Sequence, residues 1–214
     1  MATGNIPVTQ CQKPHGLMGR FTLWRMNASH SKLTDWGLGQ IAVEKNAVIL
    51  DVGCGGGKTV GKLAAMAPAG KVCGIDYSEA SVAATAKLNA RLIEAGRVEA
   101  RLASVSQLPF SDGMFDLVTA VETHFWWPNL AGDMREVFRV VKPGGTLVVI
   151  AEVYKGANTL VSKLAEKYAS RTGMKLLSAE EHRELFTAPG FSDVRVIEER
   201  DKGWICAVGK KPAA

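Results

Sequence analysis

The stretch Val48-Ile49-Leu50-Asp51-Val52-Gly53-Cys54-Gly55-Gly56-Gly57-Lys58-Thr59 runs an apolar segment into a glycine-rich turn and then into a helix-forming segment. Glycines let a backbone turn sharply and let a ligand approach it closely. Backbone N–H groups at the start of a helix favour anionic groups. In a strand–turn–helix unit such a site lies beyond the carboxyl end of the strand. Asp76 ends the next apolar run, from Lys71 to Ile75. An acid there can accept hydrogen bonds from both hydroxyls of a ribose.

Several ligands compete for this pattern. Gly57-Lys58-Thr59 mimics the end of a triphosphate loop, but that loop needs a glycine where Val52 stands, and Gly53 is one place too late. A dinucleotide fingerprint needs a third glycine at the position of Lys58. That reading, a nicotinamide-dependent oxidoreductase, stays as the alternative.

The elements that must position these residues alternate from Ala47 onward. Thr59 to Met66 reads as a helix closed by Pro68-Ala69-Gly70. Ser78 caps a long alanine-rich helix that stops near Gly96. Val98 to Ala103 and Phe115 to Val121 read as strands, separated by the turn-rich segment Leu108-Pro109-Phe110-Ser111-Asp112-Gly113. A helix opens at Pro128-Asn129 and runs to Val141. Lys142-Pro143-Gly144-Gly145 breaks it, and Thr146 to Ala151 is the most hydrophobic strand. Ser178 and Glu181 form a capping box. Val194 to Ile197 and Trp204 to Val208, so close in sequence, can pair only as an antiparallel hairpin.

This order predicts an α/β fold: a three-layer, Rossmann-like sheet of about seven strands, mostly parallel, with a C-terminal antiparallel hairpin. Leu17, Phe21 and Trp24, then Leu33 and Trp36, fall at helical spacing and predict two short helices over one edge of the sheet. Residues 1–46 are therefore expected to form an N-terminal segment and helical cap, and residues 47–214 the ligand-binding domain.

Composition sets the outer bounds. The chain has 214 residues, 47% hydrophobic and 22% charged, enough for one well-buried domain and unlike a disordered chain. No run approaches the roughly 20 apolar residues that span a bilayer, and the polar first residues lack a signal-peptide core. A cytoplasmic location is expected. Cys11, Cys54, Cys73 and Cys206 form no C-x-x-C pair and read as free thiols. The net charge of +5 is scattered and does not demand nucleic acid.

Four ordered segments carry a family resemblance. Asp51-Val52-Gly53-Cys54-Gly55-Gly56-Gly57, Gly74-Ile75-Asp76-Tyr77-Ser78, Leu108 to Asp116, and Arg139-Val140-Val141-Lys142-Pro143-Gly144-Gly145 together resemble the class I S-adenosylmethionine-dependent methyltransferases. The likeness covers roughly residues 47 to 210 and is nearest to the small-molecule branch that includes the quinone C-methyltransferases. The resemblance implies S-adenosylmethionine as cofactor. It places Gly53, Cys54 and Gly55 beneath the methionine part, with Asp51 holding the turn and contacting the amino end. It puts Asp76 on the ribose and Tyr77 against the adenine. Many relatives carry an acid near the adenine amine. Here that place is Ser104, followed by Val105 and Ser106. Ser104 can still accept through its hydroxyl, and Val105 can contribute its backbone N–H. Glu122 is expected to support the same pocket.

Methyl transfer is a displacement at a sulfonium carbon, in which the protein aligns the nucleophile and excludes water. The acceptor should face the ends of the fourth and fifth strands and the cap. Trp24, Thr123, Trp127 and Tyr154 are the expected acceptor contacts, and aromatic walls suit an apolar, planar or cationic molecule. His124 is the expected base, because its ordinary pKa lies near neutrality. His30 could close on the cofactor's carboxylate, while His15 and His182 read as surface residues. No acid cluster at the strand ends resembles a magnesium site, so no metal is expected. The segment Glu122-Thr123-His124-Phe125 lacks the prolines of DNA adenine methylation, and no cysteine follows a proline as in cytosine methylation. The expected partner is a small-molecule methyl acceptor, with no nucleic acid and no membrane span, for a monomer or homodimer. A cofactor-binding protein without turnover is a further alternative.

Overall fold

A computed structural model of the chain describes residues 30–213 and Gly16. The first described element is helix α1 (Ser31–Leu38). There follow β1 (Val48–Val52), α2 (Lys58–Met66), β2 (Lys71–Asp76), α3 (Glu79–Leu88), α4 (Ala90–Glu94), β3 (Val98–Leu102) and β4 (Phe115–Val121). A 3₁₀ turn (His124–Trp126) leads to α5 (Leu130–Val140), β5 (Val141–Ala151), α6 (Leu160–Thr172), α7 (Ala179–Thr187), β6 (Ser192–Glu199) and β7 (Trp204–Lys210).

The seven strands form one sheet in the order β3-β2-β1-β4-β5-β7-β6. The first five are parallel, and β7 runs antiparallel to both β5 and β6. The chain starts in the middle at β1, winds outward to β3, then returns to β4. Where the winding reverses, between β1 and β4, the loops that leave the two strands diverge and open a crevice.

Side chains alternate across each strand, so one sheet feeds two cores. Leu50, Val52, Leu147 and Val149 face Met134 and Val137 of α5 and Phe186 of α7. Ile49, Val148 and Ile150 face Leu33 and Leu38 of α1 and Val60 and Leu63 of α2. Strands buried on both faces read as continuous apolar runs, which is why Val141–Ala151 looks so hydrophobic.

The predicted elements recur with local changes. The long alanine-rich helix is two helices, because Asn89 breaks it. Its side-chain amide donates to Gly57 O and Thr85 O, each at 3.0 Å, instead of continuing outward. Strand β5 begins at Val141 rather than Thr146, since Val141 already pairs with Phe115 before the ladder slips. The capping box at Ser178 and Glu181 forms as expected. Helix α6 was not foreseen. Helix α1 packs on β5 and β7, in the interior of the sheet and not at an edge. Gly37 permits this: a Cβ there would collide with Ile150. The other predicted cap helix, with Leu17, Phe21 and Trp24, lies outside the described residues, as do His15 and Cys11. Among the described residues, no helix is long and apolar enough to cross a membrane. Cys54, Cys73 and Cys206 are free and buried.

Candidate functional site

The turn after β1 is held from below by its neighbour strand. Gly53 N and Cys54 N both donate to Ile75 O, at 2.8 and 2.9 Å, and Gly57 N donates to Cys54 O at 2.9 Å. Gly53, Gly55 and Gly57 sit at φ of 78°, 52° and 80°, the left-handed region that disfavours other residues. A Cβ on Gly53 would also run into the Thr123 methyl, so glycine there lets the segment after β4 pack closely on the turn.

Asp76 closes the turn from the side. Its two oxygens accept from Gly55 N at 3.0 Å and from Ser78 N at 2.9 Å. Burial raises its pKa, and the surrounding N–H and hydroxyl donors act against that rise. Asp51 is buried beneath the turn and accepts from Thr119 Oγ1 at 2.7 Å. Burial lifts its carboxyl to about 7; the Thr119 bond opposes this and the nearby Asp76 adds to it.

One crevice runs along the carboxyl ends of these strands. Val52, Gly53, Cys54 and Gly55 form its floor, with Asp76, Tyr77, Ser104 and Val105 at one end. Tyr77 is 42% exposed, as a flat cover over a ligand requires. Glu122, Thr123, Trp126, Trp127 and Pro128 form the other end, with His30 and Thr34 above. Ser106 is exposed and is not part of this lining. Thr123 Oγ1 donates to Val52 O at 3.0 Å and ties the two ends together.

Glu122 follows β4 with φ of 60°, a strained value for a side-chain-bearing residue. The strain turns its carboxylate to accept from Glu152 N, at the end of β5. His30 Nε2 lies 3.5 Å from Glu152 Oε2 and 4.0 Å from Glu122 Oε2. Burial alone would lower the His30 pKa; the Glu152 hydrogen bond and the charges of both glutamates outweigh it and raise the value. Burial likewise raises Glu122, against the His30 charge and the Glu152 N–H. Because β4 and β5 are neighbours, their terminal glutamates meet around His30, a grouping the sequence reading did not anticipate. Ligand atoms of the three lie within 4.8 Å of one another, close enough to hold a cation.

Three other expectations change. His124 is not in the crevice. The 3₁₀ turn points it inward, where it is 1% exposed and its Nε2 stands 3.0 Å from Nε2 of His182. His182, expected at the surface, is equally buried, and its Nδ1 donates to Ser178 O at 2.7 Å. A carbonyl only accepts, so the neutral His182 must accept at Nε2 from His124. That leaves His124 Nδ1 buried with no partner among the described residues. Burial holds both imidazoles below the ordinary value, and His124 furthest below it. Tyr154 is also buried away from the crevice, its hydroxyl donating to Glu198 at 2.7 Å. Trp127 and Thr123 do line the crevice, at the end away from Asp76, and Trp24 lies outside the described residues.

Sequence reasoning missed the tether of the cap. Lys62 of α2 donates to Ser31 O and Ser31 Oγ, each at 3.1 Å, and pairs with Asp35. It fastens α1 beside the crevice. No spacing signal marks residues this far apart on separate helices.

The residues present fit S-adenosylmethionine. Gly53, Gly55 and Gly56 line the crevice with bare backbone, an acid ends β2, and an aromatic face lies beside that acid. Residues 50–149 match the family described as "Methyltransferase domain". The chain is 31% identical over 153 residues to the O-methyltransferase cnsE of Penicillium expansum, covering 72% of this chain and 55% of that protein. It is 30% identical over 172 residues to a demethylmenaquinone methyltransferase of Lactococcus lactis, covering 76% of this chain and 68% of that one. A solved S-adenosylmethionine-dependent methyltransferase from Aquifex aeolicus superposes with a TM-score of 0.72 at 20% identity, over 89% of this chain and 97% of its own. A glycine floor, a terminal aspartate and these relatives agree, and the chain belongs to the S-adenosylmethionine-dependent methyltransferases.

Proposed function

We propose that this enzyme methylates a small molecule held between the Trp126–Trp127 wall and His30. The observation that carries the reading is continuity: the crevice floored by Gly53 extends past Thr123 to the tryptophans without a break in its lining. A donor on that floor and an acceptor on that wall would share one enclosed space. The named relatives, one an O-methyltransferase and one acting on demethylmenaquinone, support a small acceptor. The most probable-looking base in the sequence, His124, is withdrawn into the core, and we assign its part to His30.

When bound, S-adenosylmethionine supplies an electrophilic methyl on a sulfonium. The chain's own residues do the rest. Asp76 accepts the ribose hydroxyls on the lone pairs its backbone donors leave free. Asp51 braces the turn from beneath, and Glu122 offers carboxyl oxygens toward the amino end of the ligand. Trp126 and Trp127 hold an apolar or planar acceptor and exclude water. His30, steadied by Glu152, takes the proton of an acceptor that must lose one; a raised pKa suits a base working near neutral pH.

Calorimetry with S-adenosylmethionine and with S-adenosylhomocysteine, followed by labelled methyl transfer to a panel of phenols, thiols, amines and quinols, tests the reading. Binding of both ligands and labelling of a small acceptor are expected. A folded sample that binds neither ligand, or that labels only protein or nucleic acid, overturns it.

A further inference from the structure

No residue of helix α6 is among those lining the crevice, and the helix carries an exposed apolar and basic face. Thr159 opens it, its hydroxyl accepting from Ser162 N at 3.1 Å, and Gly173 in the left-handed region closes it. Its 13 residues extend about 20 Å. Only Ser162 is fully buried, with Ala165 and Ala169 half-buried on the same side.

The opposite side is apolar. At 100° per residue, Leu160, Leu164 and Val161 share one sector, and they are 73%, 59% and 54% exposed. Tyr168 continues this ridge one turn on. A single exposed leucine needs no explanation. Here four of the eight exposed large hydrophobic side chains of the described residues stand on one helix.

A basic ridge adjoins the apolar one. Lys163, Lys167 and Arg171 follow at intervals of four residues, all exposed. The helix has one acid, Glu166, and its carboxylate is turned back to accept from Gly156 N at 2.8 Å. Branched aliphatics beside a row of cations make up the pattern of a helix lying in a lipid interface. A second copy of the chain fits less well. A two-fold contact through the leucines would bring two like-charged ridges together with no acid between them.

We propose that α6 docks this enzyme on an anionic lipid bilayer. Leu160, Val161 and Leu164 enter the acyl boundary, and Lys163, Lys167 and Arg171 lie along the lipid phosphates, their stems covering the rim. The contact is peripheral, and it stands whether or not the acceptor assignment above holds.

Cosedimentation of the full chain with vesicles tests this. One set holds equal parts phosphatidylglycerol and phosphatidylcholine, the other phosphatidylcholine alone. The chain is expected to pellet with the first, to stay free with the second, and to be released by salt. Leu160→Asp with Leu164→Asp should weaken binding at least about ten-fold. Lys163→Gln with Lys167→Gln and Arg171→Gln should do so to a similar degree, roughly ten-fold or more. Lys45→Gln with Lys71→Gln and Lys87→Gln removes equal charge elsewhere and should leave binding intact. Thermal melts and S-adenosylhomocysteine binding verify that each variant is folded. The proposal is overturned if the wild type ignores phosphatidylglycerol vesicles, or if the control triple weakens binding as much as the α6 triple. A dimer that the leucine variant dissolves overturns it in favour of a self-contact.

Discussion

Both oxygens of Asp76 already accept a backbone N–H, from Gly55 and from Ser78, and each keeps capacity for a ribose hydroxyl. Asp76→Asn exchanges one acceptor for a donor and removes the charge. Affinity for S-adenosylhomocysteine should fall about 30- to 100-fold, the loss of one or two charge-assisted bonds; unchanged calorimetry would remove the ribose assignment. Asp51 behaves differently with pH. Its pKa rises from an unfolded value near 3.9 to about 7 in the fold. Its neutral form is accommodated below the unfolded value, and the fold loses stability as pH rises from there through the folded one. Asp51→Asn should therefore stabilise the apo-protein above neutral pH, by up to about 4 kcal/mol, and leave it little changed near pH 4. Urea midpoints at the two pH values check this. His30 supplies the third test. With Glu152→Gln it keeps a possible acceptor but loses the neighbouring charge, and its imidazole should titrate lower than in the wild type, read by NMR of the histidine ring protons. An unmoved titration would mean that Glu152 does not hold it.

Elements meet here through side chains that gather backbone carbonyls. The segment between β3 and β4 belongs to no strand ladder, yet its Ser104 and Val105 line one end of the crevice. Arg139 of α5 holds it, donating to Phe110 O at 2.8 Å and Leu108 O at 3.1 Å while pairing with Asp112 and Glu136. Glu136 completes the clasp by accepting from Leu108 N at 2.8 Å. Lysine carries the charge but not the fork, so Arg139→Lys should cost about 2 kcal/mol in chemical denaturation. It should also loosen the Ser104–Val105 end, weakening cofactor binding several-fold. Asn89 acts in the same way between α3 and the glycine turn. These links were invisible in the sequence. Arg139 stands out there only as the first residue of the Arg139–Gly145 segment, with nothing to show what it grips, and Asn89 is one more residue of an alanine-rich helix.

Across the whole molecule, the crevice wall and the C-terminal half are joined by a pair of buried imidazoles. His124 hangs from the turn that carries Trp126 and Trp127, and His182 from the first turn of α7. Both pKa values are depressed, so the unfolded chain binds more protons in acid. The stability they allow is present above about pH 6.5 and is lost as pH falls below it. On going from pH 7.5 to 5.5 the wild type should lose more stability, read by unfolding midpoints, than His124→Phe with His182→Leu; the opposite pH dependence from Asp51 is common to both proteins and cancels in the comparison. The sequence by itself determined the parts that depend on neighbours along the chain. The glycine turn, the acid ending β2, the alternating apolar strands, the hairpin and the capping box are local chemistry, and turn geometry and strand period follow from it. The tertiary structure alone decided which strand ends lie side by side. Because β4 and β5 pair, Glu122 and Glu152 converge on His30; because α7 packs beneath the turn after β4, His124 faces inward. A residue's type announces what chemistry it can do, but its surroundings come from elements dozens of residues away, and these determine whether it meets solvent, substrate or core.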